Sequence, residues 1–174
     1  MKRKLTILAA CFLMAMAASA QTVNDDDPPC CLFSTIEAGA SLQYGHDFAH
    51  RHDNLGADLR FVFGLPKVFR LRALANVDGF IPNGFDRKGT ALVGLSAEYK
   101  MGYCFADFGV SYNPSSRQRI NPDAEAGLGL RYAVADRHHL FAETGFNFTA
   151  NGLNVWHGDY FLKLGYTYTI KTLP

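Results

Sequence analysis

The sequence lacks an apolar run long enough to cross a bilayer as a helix. Its longest, Leu5–Ala20, is 16 residues, and a spanning helix needs about 20. It also lacks a charge excess: 17 Lys+Arg stand against 16 Asp+Glu, so no basic surface for nucleic acid is expected. Cysteine is scarce. Cys11 falls in the first apolar segment and an odd three, Cys30, Cys31 and Cys104, lie beyond it, so no disulfide framework can be read. The vicinal Cys30 and Cys31 have no histidines nearby in sequence with which to hold a metal. Helical periodicity is missing too: nowhere past residue 32 do apolar residues recur at three and four.

What is present begins with "MKRK", an apolar "LTILAACFLMAMA" and the small-residue "ASA". That order predicts a secretory signal peptide over 1–20, cut after Ala20. The "LAAC" at 8–11 matches the start of a lipoprotein signal, but nine mostly apolar residues follow Cys11 where such a chain turns polar. Residues 21–32, with "NDDDPP" at their centre, read as a polar lead-in on the periplasmic side. The rest, 33–174, is of single-domain length.

Within it eight segments alternate with period two, near 33–44, 54–64, 67–78, 90–100, 103–112, 123–132, 139–148 and 160–170. An all-β chain of eight antiparallel strands follows. Short links such as "LP" and "MG" alternate with longer ones such as "GHDFAHRHD" and "GFIPNGFDRKG". An up-and-down array puts all short turns at one end and all long loops at the other.

The two faces differ sharply. One is nearly uncharged, for example Leu55, Ala57, Leu59, Phe61 and Phe63, or Ala124, Ala126, Leu128, Leu130 and Tyr132. The other carries Glu37, Asp58, Asp78, Glu98, Asp107, Glu125 and Glu143 with Arg60, Arg70, Arg72, Lys100, Arg131 and Lys163. A soluble barrel with an apolar inside would alternate in the same way, so two further features decide. Nine glycines (39, 56, 64, 94, 109, 127, 129, 145 and 165) share the charged face. A water-facing exterior has no use for them, whereas a narrow interior filled by long side chains needs the space. Aromatics on the apolar face gather toward the strand ends: Tyr44, Tyr112, Phe146 and Phe148 at one end, Phe61, Phe63, Phe69, Tyr99, Tyr132, Tyr166 and Tyr168 toward the other. Two aromatic belts around an aliphatic band suit the two bilayer interfaces. The expected fold is therefore a closed eight-stranded transmembrane β-barrel, apolar outside and charged inside. Closure is required because an open edge would leave backbone N–H and C=O groups unpaired in hydrocarbon.

This pattern over 33–170 resembles the small outer-membrane β-barrel superfamily typified by the OmpA transmembrane domain and OmpX. The resemblance implies a bacterial outer membrane, contact with its lipid, and insertion by the barrel-assembly machinery. Such chains usually end on an aromatic residue, whereas here Tyr166 and Tyr168 are followed by "TIKTLP".

The interior charges predict a neutralising network that plugs the barrel, since desolvated ions are tolerable only when paired. Lys163 and Glu37 are candidates for a pair across the closing seam. His46, His50, His52 and His157, close to Asp47, Asp53 and Asp159, are candidate ligands for zinc or copper; otherwise no cofactor is expected. Some eight-stranded outer-membrane barrels act on lipid A with an activated nucleophile. No His-x-Ser pair occurs here, and Ser115 or Ser116 with His46 imitates the acyltransferase set only loosely. Phe80, Ile81, Phe85 and Trp156 are loop residues that could touch headgroups or an unidentified surface partner. The expected role is structural or surface-interacting, with a lipid A enzyme or a metal- or ligand-binding surface barrel as alternatives.

Overall fold

The computed structural model describes residues 33–47, 52–65, 68–81, 88–114, 119–151 and 155–172. The signal peptide, the lead-in with Cys30 and Cys31, His50, Phe85, Ser115 and Ser116 lie outside the described residues, as do the side chains of His52, Phe80, Ile81, Trp156 and His157.

Eight strands follow one another: β1 (Thr35–Asp47), β2 (His52–Gly64), β3 (Phe69–Ile81), β4 (Lys88–Tyr99), β5 (Gly102–Tyr112), β6 (Ile120–Ala135), β7 (His138–Asn151) and β8 (Val155–Thr172). Each pairs antiparallel with the next, and β8 closes on β1. The seam runs from Thr35↔Thr172 to Asp47↔Asp159, with one irregularity at Ile36/Glu37. Among the described residues no strand edge is left to hydrocarbon, as closure demands.

The wall is polarised as the alternation predicts. Leu42, Leu59, Phe108 and Leu128 are each more than 60% exposed on the outer surface. Among the described residues, buried polar and charged side chains outnumber buried apolar ones. That is the reverse of a water-soluble protein, where charged groups are almost never fully buried. The outer wall is stable only against lipid.

The long loops are shorter than the sequence reading expected. β1 and β2 pair as far as Asp47↔His52, and β7 and β8 as far as Asn151↔Val155. Much of "GHDFAHRHDN" and "TANGLNVWHGD" is therefore strand. The residues there, such as His46 and Asp53, have cross-strand partners, and ladder hydrogen bonds extend the hairpins beyond the apolar band. Phe80, Ile81 and Trp156 likewise lie in strands rather than loops.

Candidate functional site

The lumen is where the chain concentrates its chemistry. Inward positions of β2, β3 and β7 carry Arg60, Arg72 and Glu143, and they meet at mid-barrel. Arg60 donates to both carboxylate oxygens of Glu143, Nη1 at 2.7 Å and Nη2 at 3.0 Å. Arg72 Nη1 lies 3.0 Å from the same Oε1, and the Tyr103 hydroxyl donates to it at 2.7 Å. β3 and β7 are four strands apart in a ring of eight, so the Arg72–Glu143 pair crosses the whole lumen. Arg60, Arg72 and Glu143 are at most 3% exposed, and in that setting an ion pair must be well made to offset its desolvation.

Above this layer, toward the longer connections, Lys163 Nζ donates to both oxygens of Glu125 at 2.7 and 2.8 Å and lies 3.4 Å from Asp58. Arg72 Nη2 stands 3.2 Å from Asp107. Below it, toward the short turns, Arg70 and Arg131 both donate to Glu37 Oε1 at 2.7 Å. Arg70 also pairs with Glu98, which lies 3.7 Å from Arg131. At the long-connection end Lys88 binds Asp123 and the Thr149 hydroxyl at 2.7 and 2.5 Å.

Aromatic rings complete the filling. Arg60 stacks 3.8 Å from the centroid of Phe141, Arg72 4.0 Å from Phe105, and Lys163 4.8 Å from Phe161. Each ring removes water from a cation while offering its π face in return. The space for these rings comes from glycine. Tyr103 is register-paired with Gly129, Phe105 with Gly127, Phe141 with Gly165 and Phe161 with Gly145. A Cβ built on Gly129 or Gly165 would overlap the Tyr103 or Phe141 ring, and one on Gly127 would come to 3.0 Å of Phe105. Glycine, ring and cation thus stack inward from the wall, a side chain covering the glycine that would otherwise leave a gap.

Two of the expected assignments are corrected here. Lys163 does not pair with Glu37 across the seam. Glu37 is in register with Thr169, six residues and about 20 Å along β8 from Lys163. Lys100 is not in the lumen: β4 ends at Tyr99, and Lys100 occupies the exposed two-residue turn at φ 57°. Its ammonium lies 5.4 Å from the Tyr99 ring centroid. Of the other lumen charges named from sequence, Asp78 faces inward but is outside the ion-paired layers. Lys88 and Asp123, and the rings of Tyr103, Phe105, Phe141 and Phe161, are lumen groups that the sequence reading left out. Their strand parity, and the glycine opposite each ring, are the signals that mark them.

Of the four candidate histidines only His46 has a described side chain, and among the described residues no group of three or more His, Cys, Asp and Glu has metal-holding geometry. His46 Nδ1 lies 2.7 Å from Asp53 Oδ1, which also accepts from the Tyr44 hydroxyl at 2.8 Å. His52 stands opposite Asp47 in register, and His157 opposite Thr149.

No protein-family model matches the chain, and no curated protein does. Solved structures do. Neisserial surface protein A superimposes with a TM-score of 0.58 at 12% identity, over 78% of this chain and 96% of that one. The chain has the fold of the small eight-stranded transmembrane β-barrels. A de novo designed transmembrane β-barrel superimposes with a TM-score of 0.51 at 16% identity, over 79% and 96%. The Yersinia pestis outer membrane protein Ail is a more distant likeness, with a TM-score of 0.48 at 13% identity over 76% and 99%. Because a designed barrel shares the shape, the barrel by itself assigns no activity, and function must come from the residues.

Proposed function

We propose that the protein is an outer-membrane barrel with a structural or surface-interaction role, its lumen plugged by paired charges rather than open as a pore. Residues 1–20 serve as the secretory signal and 21–32 as a periplasmic lead-in. The short turns then face the periplasm, the longer connections face outward, and the barrel-assembly machinery inserts the folded wall into lipid.

The observation that carries the proposal is the Arg72–Glu143 pair spanning opposite walls at 3.0 Å, with Arg60 on the same carboxylate. Charged layers lie above and below it, so ions would have to break several buried pairs in succession to pass. The cavity among Glu37, Arg70, Arg131 and their neighbours is about 30 Å³, room for a water or two rather than a hydrated ion stream. No residue set among those described favours an enzyme: His46 is engaged by Asp53 on the exposed wall.

Purified protein in planar bilayers tests the proposal. Baseline current with no sustained ohmic steps is expected. Steady conductance at the level of an open pore, in the wild-type protein and without applied denaturant, would overturn it.

A further inference from the structure

The irregularity at the closing seam re-aims one cation. Glu37 pairs with Thr169 but Ile36 pairs with Lys171, so Ile170 is an extra residue in β8. Strand parity would send Lys171 into the lumen. The bulge sets it opposite Ile36 on the outer face instead, where it is exposed. The Arg137 carbonyl accepts from the Thr169 N–H at 2.9 Å, which holds the exposed turn between β6 and β7 beside this bulge. His138 opens β7 on the outer face, paired with Tyr168. Its ring centroid lies 5.8 Å from that of Tyr166 and 5.2 Å from that of Tyr168, and its Nδ1 is 2.5 Å from the Tyr166 hydroxyl oxygen. Arg137 and Lys171 have no ion-pair partner among the described residues. Asp136 is the turn's one acid, so the patch stays cationic.

From this patch a groove of about 860 Å³ runs over the outer wall. Its floor is Ala40, Ala57 and Ala75, and Leu59, Leu164 and Tyr166 stand beside it. All six are exposed. Tyr166 belongs to both patch and groove. The groove follows the register row Leu140↔Tyr166↔Ala40↔Leu59↔Ala75. Leu140 is the third residue of β7 and Ala75 the seventh of β3, both counted from a short turn. The groove therefore climbs obliquely from the short-turn rim toward the middle of the wall. Crossing five strands takes about 19 Å at the spacing of neighbouring strands. One leaflet's hydrocarbon is roughly 15 Å deep, so the groove offers an oblique path to one acyl chain.

We infer that patch and groove together form a site for one anionic phospholipid of the periplasmic leaflet, its phosphate between Lys171 and Arg137 and one acyl chain along the alanine floor. Tyr166 and His138 sit at headgroup level, each with an apolar body and a polar edge. The inference rests on the outer-membrane reading above, with the short turns toward the periplasm. Charge selects the headgroup. A phosphoglycerol headgroup brings a negative charge with nothing to offset it, whereas a choline or ethanolamine headgroup adds a cation that Lys171 and Arg137 repel. Lys100 supplies the contrast. It lies over Tyr99 at another short turn, but neither residue lines the groove.

The test uses the full barrel folded in detergent and freed of lipid. It is titrated with phosphatidylglycerol or with phosphatidylcholine of the same acyl chains, and native mass spectrometry counts the lipids retained. One phosphatidylglycerol should be held in preference to phosphatidylcholine. Lys171→Gln or Arg137→Gln should each weaken its retention about fivefold, the weight of one cation near an anionic surface. Ala57→Phe fills the floor without touching the charges and should weaken retention of both lipids. Lys100→Gln should change nothing. Equal retention of the two lipids by the wild-type protein would overturn the inference. So would wild-type retention by Ala57→Phe, or a loss in Lys100→Gln as large as in Lys171→Gln. Insertion of the same sample into vesicles keeps the two readings apart: a barrel that inserts but shows no lipid preference removes this site and leaves the outer-membrane reading standing.

Discussion

Glu143 is the carboxylate on which the middle of the barrel converges, and Glu143→Gln removes its charge with almost no change of shape. In the folded protein its two oxygens take two hydrogen bonds from Arg60, one from Tyr103, and an ion-pair contact from Arg72. A glutamine amide would keep one accepting oxygen and present an N–H₂ donor to an arginine donor on the other side. Arg60 and Arg72 would then share only Asp58 and Asp107, at 3.2 Å each. Breaking a buried pair by removing one partner costs about 3–5 kcal/mol, because the remaining charge stays desolvated. With an m-value of about 2 kcal/mol/M, the urea midpoint should fall by roughly 2 M. Reversible unfolding in detergent or lipid, followed by the fluorescence of the single tryptophan, measures it. Asp53→Asn, which breaks the exposed pair with His46, is the control and should leave the midpoint nearly unchanged. A Glu143→Gln barrel with the midpoint of its parent would refute the view that this carboxylate holds the lumen together.

Other expectations follow from the wall and its fillings. Gly129→Ala places a methyl group in the space of the Tyr103 ring; displacing that ring should cost about 1–3 kcal/mol, and a thermal shift assay would register it as a lower unfolding temperature. Leu128→Arg, at an outer position 64% exposed, should destabilise by about 2–4 kcal/mol in a bilayer, the cost of a cation near the hydrocarbon midplane. The same change would be nearly neutral if that surface met water. Phe141→Leu should weaken the barrel while leaving the Arg60–Glu143 bonds in place, since it removes the ring beneath Arg60; unchanged urea stability would remove the ring from the account.

The strands and the inversion of polarity were legible in the sequence because period two is a local property. Each strand states its two faces without reference to any other. Glycine on the charged face carried the rest, since Gly127, Gly129, Gly145 and Gly165 have a reason to exist only where something large lies opposite. Partner choice was not legible. Which lumen charges meet depends on the stagger of strands around the ring, and Lys163 is placed about six residues from Glu37 by that stagger. Lys100 was misplaced because parity continued past Tyr99, where the chain had already turned. Phe105, Phe141 and Phe161 were overlooked because apolar rings on a polar face resemble lapses of pattern, though each stands opposite a glycine and beneath a cation. The histidines near the rim were read as candidate ligands from their closeness in sequence, and of those four only His46 has a described side chain. In the folded chain His46 is taken up by Asp53.

The central claim is that apolar side chains face lipid and ionic ones are enclosed. Cysteine placed at Leu59, with the native Cys30, Cys31 and Cys104 replaced, tests it directly in proteoliposomes. A membrane-impermeant maleimide should fail to modify Leu59→Cys while fully modifying Asp53→Cys, and a lipid-dissolved maleimide should modify Leu59→Cys readily. Rapid labelling of Leu59→Cys by the water-confined reagent would contradict the account.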